Sequence, residues 1–189
     1  MWTLLFVKSA KSPMQIVGHS LGGMIAQSWL HQGGACSKVV LAQTTSVFGK
    51  PGSQWNEDFL KSRLEPLEQG KTPADFAQSL IESMFFDVNK RPAIAAGVAT
   101  MSPISAARYR QVIECLVTFN EADNLTSITH PTLCLAAEHD RTAPPKAMEK
   151  MSNEIPNARF ICLPNAGHLA YLETPPAFTQ AIEEFLTDV

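Results

Sequence analysis

The chain has 189 residues, of which 45% are hydrophobic and 17% are charged. This composition predicts one domain with a packed core and excludes a chain that is disordered throughout. The 15 basic and 18 acidic residues give a net charge of -3, so we expect no nucleic-acid binding, which usually needs a basic excess. The longest apolar runs are far shorter than the roughly 18 residues of a membrane-spanning helix, so we expect no membrane association.

The N-terminal segment and the cysteines indicate a cytoplasmic protein. Residues 1–7 are apolar, but no basic region precedes them and no small-residue cleavage site follows, so we expect no signal peptide. The cysteines form no CxxC pair and have no ligand-like spacing with histidine. We expect them to be reduced and buried, with no metal and no organic cofactor. They are Cys36, Cys115, Cys134 and Cys162.

The first elements in chain order predict a βαβ unit. Residues 14–17 form a short apolar run that ends at Gly18 and predicts a buried strand. Residues 21–32 carry apolar side chains at helical spacing and end before Gly33, a typical helix stop. Residues 38–42 form a second apolar run. A strand, a helix and a strand within about 30 residues predict parallel pairing.

The next segment, residues 46–124, predicts helices and no strand. Its apolar residues, such as Phe59, Leu80 and Met84, recur at helical spacing. We attribute this stripe to core packing, although the same residues would also contact a ligand if the helices cover a pocket. The helical patches are residues 55–68, 73–86, 92–101 and 105–119.

The strand pattern returns in the last third of the chain. Residues 132–136 and 158–163 predict strands, and residues 144–155 between them predict a helix. A final helix is predicted with Thr174 as its N-cap and Pro175 as its first residue. The whole pattern predicts an α/β fold with a helical insertion between its second and third strands.

Residues 18–22 read Gly-His-Ser-Leu-Gly, a GxSxG motif at the junction of a strand and a helix. A nucleophile elbow requires this context. We expect Ser20 in a strained turn with positive φ, with glycines that allow close approach of strand and helix. The backbone N–H of Leu21 would then point at an oxyanion. The alternative is that Ser20 is an ordinary helix N-cap.

A serine nucleophile needs a base, and two polar residues follow strands at the matching edge of the sheet. Asp140 follows the third strand and His168 the fourth, which gives the order Ser, Asp, His. His168 would take the proton of Ser20, and Asp140 would orient the imidazole. Glu138 is the alternative acid. We expect structural or surface roles for the other histidines, His19, His31, His130 and His139.

At these residues the chain resembles the α/β-hydrolase superfamily. The resemblance lies in GHSLGG at 18–23, AEHDRTAPP at 137–145 and AGHLAYLETP at 166–175. Within the family, the chain is most similar to the 3-oxoadipate enol-lactonase-like branch and to esterases. One departure is Ala137, where such proteins commonly have glycine.

The resemblance implies a partial α/β-hydrolase fold with about four parallel strands, flanking helices and a helical cap. It divides the chain into a part of the core with the nucleophile elbow at 1–45, a cap at 46–124, and a C-terminal part of the core at 125–189 that carries Asp140 and His168.

The family has a substantial N-terminal half before the elbow strand, whereas 13 residues precede Met14 here. We expect residues 1–12 to be at most the tail of a helix, and the elbow strand to lie at the sheet edge and promote self-association. The resemblance further implies that the loop with the second oxyanion donor is missing. The loss of one such donor costs about 10²–10³ in rate.

The expected function is a serine hydrolase with a Ser-His-Asp triad that cleaves a small carboxylic ester or (enol-)lactone through an acyl-enzyme. Serine at position 20 argues against the haloalkane dehalogenase and epoxide hydrolase branches, which use aspartate there. It does not separate esterase, lactonase, thioesterase, C–C hydrolase and perhydrolase. The alternative is a catalytically inactive or truncated fragment with a structural or regulatory role.

Overall fold

The computed structural model describes residues 4–7, 14–50 and 52–188, which contain five strands and eight α-helices. The strands are β1 (Leu4–Val7), β2 (Gln15–His19), β3 (Lys38–Ala42), β4 (Thr132–Ala137) and β5 (Ala158–Leu163). The helices are α1 (Leu21–His31), α2 (Gln54–Glu68), α3 (Pro73–Ser83), α4 (Arg91–Met101), α5 (Ala106–Leu116), α6 (Pro145–Glu154), α7 (Ala170–Glu173) and α8 (Pro175–Thr187). In this described part of the chain, no helix combines the length and the apolar character that crossing a bilayer requires.

The strands form one sheet in the order β1-β2-β3-β4-β5. Strands β2 to β5 are parallel, and their register places Gly18 opposite Leu41 and Leu133 opposite Arg159. The predicted set of four parallel strands is therefore confirmed. Because the strands are parallel, the C-terminal ends of β2, β4 and β5 lie at one edge of the sheet, where ligands bind in such folds.

The N-terminal residues differ from the prediction. Residues Leu4–Val7 form β1, which pairs antiparallel with β2 and places Leu5 opposite Val17. The expectation of a helix tail is wrong for these four residues, and the rest of that expectation lies outside the described residues. An apolar run this short suits a strand as well as a helix end, and the periodicity does not separate the two. Strand β2 is thus not an edge strand, which removes the stated physical reason for self-association through it.

The sheet core consists of two apolar layers, because alternate residues of each strand point to opposite faces. On one face, β3 contributes Val39 and Leu41, which pack against α1 and α6. On the other face, β3 contributes Val40 and Ala42, which pack near α8. Strand β3 is fully buried on both faces from Val39 to Ala42, which explains the continuous apolar sequence of these residues.

The segment between β3 and β4 forms a third apolar cluster from the helices α2 to α5. All four predicted helices are present, although α3 ends at Ser83 and α5 at Leu116, earlier than predicted. An isolated bridge between Val47 and Asn120 joins the two ends of this segment. The cluster also includes Met24 of α1, so the segment packs against the helix that follows Ser20.

The C-terminal part shows one unpredicted element and one altered contact. The four-residue helix α7 precedes α8 and was not predicted from the sequence. Pro175 is the first residue of α8, as predicted. The hydroxyl of Thr174 donates to the carbonyl oxygen of Ala170 at 3.2 Å instead of capping α8.

The cysteines differ in exposure more than the sequence indicated. All four are free thiols, but Cys134 alone is buried, Cys36 is half-buried, and Cys115 and Cys162 are exposed. The expectation of buried thiols is therefore wrong for Cys115 and Cys162. Cys162 lies on β5 at the edge of the sheet, where one face of the strand meets solvent.

Candidate active site

Ser20 lies at the tight turn between β2 and α1, with φ 53° and ψ -120°. A positive φ is uncommon for residues other than glycine and stores strain at functional turns. The Ser20 N–H donates to the carbonyl oxygen of Ala42 at 3.0 Å, and the Thr44 hydroxyl donates to the Ser20 carbonyl oxygen at 2.8 Å. The Ser20 side chain makes no cap hydrogen bond to α1, so the alternative of an ordinary N-cap is wrong.

Two glycines allow close contacts around this turn, Gly18 between β2 and α1 and Gly23 between α1 and Thr44. A Cβ atom on Gly18 would lie 2.6 Å from the carbonyl oxygen of Gly22, and one on Gly23 would lie 2.7 Å from the side chain of Thr44. Backbone atoms of the next turn cannot move away from such a clash without displacing the helix. The close approach of strand and helix predicted from the motif is therefore confirmed at Gly18, whereas Gly23 lies outside GxSxG and makes room for Thr44.

The structure brings Ser20, His168 and Asp140 together although they are distant in the sequence. The Ser20 Oγ lies 2.9 Å from His168 Nε2, and His168 Nδ1 lies 2.8 Å from Asp140 Oδ2. All three residues are buried, with 6%, 3% and 3% exposure for Ser20, Asp140 and His168. The hydrogen bonds form a continuous relay from hydroxyl to carboxylate.

The Asp140 carboxylate has partners for both of its oxygens. Oδ1 accepts from the N–H groups of Thr142 and Ala143 at 2.7 and 2.9 Å, which leaves Oδ2 to accept from His168. A carboxylate acceptor at Nδ1 places the proton of a neutral imidazole on Nδ1, so that Nε2 can accept from the Ser20 hydroxyl. This is the tautomer that a general base needs.

Glu138, the alternative acid, lies on the surface. Its Oε2 accepts from the Asn165 N–H at 3.1 Å and lies 3.5 Å from Nε2 of His139. Its carboxylate therefore contacts neither Ser20 nor His168. The structure brings Asp140, and not Glu138, to the imidazole.

His19 lies beside His168, a contact that the sequence did not predict. Its Nε2–H donates to the carbonyl oxygen of His168 at 2.8 Å, and its ring lies 5.0 Å from that of Tyr171. Burial and the nearby charge of His168 lower the pKa of His19 from 6.5 to about 3. His19 is therefore neutral near pH 7 and holds the backbone of His168 as a neutral donor.

The loop that carries His168 is fastened to the helical segment, and the residue that does this was missed from the sequence. Glu173 is 1% exposed, and its carboxylate accepts from the N–H groups of Gly167 and Asp87 at 2.7 and 2.6 Å. The His168 N–H donates to the carbonyl oxygen of Met84 at 2.8 Å. The available signal was an acidic residue five positions after His168 within an otherwise apolar stretch.

The N–H of Leu21, the predicted oxyanion donor, begins α1 directly after Ser20. In α1, the N–H groups of Gly23 and Met24 donate to the carbonyl oxygen of Ser20. The N–H of Leu21 precedes them in the first turn, where the N–H groups of a helix lack an intrahelical acceptor. The role of Leu21 stays a prediction. No cluster of three or more His, Cys, Asp or Glu side chains suited to a metal occurs in residues 4–7, 14–50 and 52–188.

A cavity of about 290 Å³ borders Ser20 and His168. Its wall is mostly apolar and comes largely from the segment between β3 and β4. Phe59, Leu80 and Met84 of the predicted apolar stripe line it, so the stripe serves both packing and the cavity wall, as the second interpretation expected. Arg63 and Arg108 also contribute to the wall.

Comparison with known proteins connects the chain to one family. Residues 8–175 match the family model described as alpha/beta hydrolase fold. Among solved structures, the chain is similar to a thermophilic esterase from Thermogutta terrifontis, with a TM-score of 0.80 and 24% identity over 93% of this chain. It is also similar to the enol-lactonase from Burkholderia xenovorans LB400, with a TM-score of 0.76 and 22% identity over 91% of this chain.

The relatives are longer than this chain. The chain spans 65% of the length of each of those two solved structures. A sequence relative, the polyketide synthase ThaQ of Burkholderia thailandensis, is 28% identical over 177 residues, which cover 92% of this chain and 8% of that protein.

Proposed function

The chain belongs to the family of proteins with the α/β-hydrolase fold, and from this premise we propose that it is a serine hydrolase acting on a small carboxylic ester or lactone. The observation that carries the proposal is the buried relay from Ser20 Oγ through His168 to Asp140 at the wall of a cavity. A serine hydroxyl is a weak nucleophile until such a base activates it.

The reaction begins with attack of Ser20 Oγ on the carbonyl carbon of the substrate, while His168 Nε2 takes the hydroxyl proton. The Leu21 N–H donates to the oxygen of the tetrahedral intermediate. His168 then gives its proton to the departing alkoxide, which leaves an acyl group on Ser20. Water, activated by the same imidazole, releases the acid and restores the hydroxyl.

Asp140 stabilises the imidazolium that forms in both halves of the reaction. Its Oδ1 is held by two backbone N–H groups, so the carboxylate needs no rearrangement when the positive charge appears. Such a fixed arrangement of dipoles lowers the cost of charge development in the transition state.

The cavity wall supports an organic substrate with apolar groups. Phe48, Ile81 and Ile113 line it together with Ser20, and apolar contact would hold the non-reacting part of an ester or lactone. In this proposal, residues 46–124 act as the cap over the site. The names of the two similar structures, an esterase and an enol-lactonase, agree with this substrate class.

A fluorophosphonate probe, which reacts covalently with an activated serine, tests the proposal. We expect labelling of the wild-type chain, none in Ser20→Ala, and wild-type labelling in Ser28→Ala. Ser28 is a matched control because it lies on α1 and donates to Glu121 at 2.6 Å, away from the relay. Folded wild-type protein that remains unlabelled would contradict the proposal and favour an inactive member of the family.

A further inference from the structure

Two arginines bring positive charge to the wall of the cavity beside Ser20. Arg63 on α2 and Arg108 on α5 contribute to its wall, and α2 packs against α5. Arg63 is half-buried and Arg108 is exposed. Both residues therefore contact solvent as well as the cavity.

Neither arginine is neutralised by an acidic neighbour. Within the described residues, neither Arg63 nor Arg108 takes part in an ion pair, whereas Arg110 lies 3.9 Å from Glu114 and Arg91 lies 2.8 Å from Glu82. The described cavity wall includes no aspartate and no glutamate. An apolar cavity whose charged wall residues are both cationic attracts an anion.

Two aromatic residues of the cavity wall lie close to Arg63. The guanidinium carbon lies 5.4 Å from the ring centre of Phe59, which also lines the cavity. Tyr109, another wall residue, is buried and close enough to Arg63 to feel its charge. Burial raises the pKa of Tyr109, so its phenol stays protonated near pH 7 and is a further hydrogen-bond donor. Two guanidinium groups and a phenol together form a donor set that suits a carboxylate.

We propose that the substrate is an ester or lactone with a carboxylate group, which Arg63 and Arg108 bind while Ser20 attacks the carbonyl at the other end of an apolar spacer. This inference rests on the proposed hydrolase function and names the substrate class of the same site. The apolar part of the cavity wall holds the spacer, and the arginines fix its direction. A charge-assisted hydrogen bond to a guanidinium discriminates strongly against a neutral group at the same place.

The test compares two series of p-nitrophenyl esters that differ only in charge. One series consists of monoesters of linear dicarboxylic acids from adipic to sebacic acid, and the other carries a methyl ester on the distal carboxyl group. For at least one spacer length, we expect kcat/KM of the anionic ester to exceed that of its neutral partner by about tenfold or more. Arg63→Gln and Arg108→Gln should each reduce this ratio, mainly through a higher KM for the anionic ester.

Arg110→Gln is the matched control, because Arg110 lies on the same helix as Arg108 but does not line the cavity. We expect the wild-type ratio in this variant. A wild-type ratio near one or below one at every spacer length, with Ser20-dependent hydrolysis of both series, would overturn the carboxylate proposal and leave the hydrolase function intact. Unchanged ratios in both Arg63→Gln and Arg108→Gln would overturn it as well.

A binding measurement separates failure of this inference from failure of the hydrolase function. Calorimetry on Ser20→Ala with the monoamides of the same dicarboxylic acids needs no catalysis. We expect binding that weakens about tenfold when Arg63→Gln is added. Binding of this kind without hydrolysis by the wild type would support the anion site and reject the hydrolase function. No difference between the single and double variants would reject the anion site.

Discussion

At the scale of single residues, Asp140 combines two tasks that an amide could not perform together. Its Oδ1 accepts two backbone N–H groups, and its Oδ2 accepts from the imidazole of His168. In Asp140→Asn, the carbonyl oxygen of the amide can replace Oδ1, which leaves an NH₂ group facing Nδ1. The neutral imidazole would then carry its proton on Nε2 and could not accept from Ser20.

We therefore expect Asp140→Asn to lower kcat for a short p-nitrophenyl ester by about 10⁴, as in a comparable Ser-His-Asp triad. His168→Ala should abolish the turnover that depends on Ser20. Glu138→Gln, at the exposed carboxylate that was the alternative acid, should keep wild-type kcat. Near-normal turnover in Asp140→Asn would contradict the assignment of Asp140.

His19 gives a second prediction at this scale, which concerns stability and pH. Its pKa is about 3 in the folded chain and 6.5 ordinarily, so between these values the unfolded chain binds a proton that the folded chain does not. The free energy of unfolding should therefore fall as the pH is lowered through this window, by up to about 1.4 kcal/mol per pH unit from His19.

Urea unfolding at a series of pH values between 7 and 4 would measure this contribution as the difference in slope between wild type and His19→Gln. We expect the variant to lose less stability than the wild type as the pH falls. His139→Gln changes an exposed histidine and should keep the wild-type slope. Parallel profiles for wild type and His19→Gln would refute the proposed effect of burial.

At the scale of elements, helix α7 connects the helical segment to the loop of His168. Glu173, at its C-terminal end, accepts from the backbone of both parts. In Glu173→Gln the side chain keeps its size, but its NH₂ group would face an N–H donor and one of the two hydrogen bonds would be lost. The backbone of the loop would then be less constrained, and the position of the His168 imidazole relative to Ser20 would vary more.

We expect Glu173→Gln to lower kcat about tenfold while KM changes little, because the positioning of His168 matters for the chemical step and not for apolar contact with the substrate. The free energy of unfolding should fall by about 1.5–3 kcal/mol as a charged hydrogen bond is lost. Glu183→Gln on the exposed face of α8 is the control. An unchanged kcat with reduced stability would assign Glu173 a purely structural role.

The sheet shows which strands the local apolar pattern predicts and which it does not. Strands β3 and β5 have the predicted limits, because a buried strand in a parallel sheet is a short apolar run between turn residues. Strand β1 was not predicted, since nothing within Leu4–Val7 specifies a partner. Its pairing with β2 is a contact between two segments, and only the folded chain contains it.

At the scale of the whole molecule, the thiols report on how the chain is packed. Burial raises the pKa of Cys134 to about 12, and burial together with Glu138 and Glu149 raises that of Cys162. The thiolate is the reactive form. Cys134 should therefore be inert in the folded chain, and the exposed Cys115 should react faster than the exposed Cys162.

Titration with an aromatic disulfide such as DTNB at pH 8 would measure these reactivities. We expect fast reaction of Cys115, slower reaction of Cys162 and of the half-buried Cys36, and reaction of all 4 thiols only after unfolding in guanidinium chloride. Cys115→Ser should remove the fast phase. Fast reaction of Cys134 in the folded chain would contradict the packing of the sheet core.

The sequence by itself determined the parallel sheet, the helical segment and the turn of Ser20, because apolar periodicity and the steric demands of glycine act over a few neighbouring residues. It also singled out Ser20, Asp140 and His168 through their positions after strands. Only the tertiary structure decided between Asp140 and Glu138, brought His19 and Glu173 to the loop of His168, and paired β1 with β2. These are contacts between different segments of the chain, and their distances depend on how the segments pack and not on the spacing of residues along the sequence.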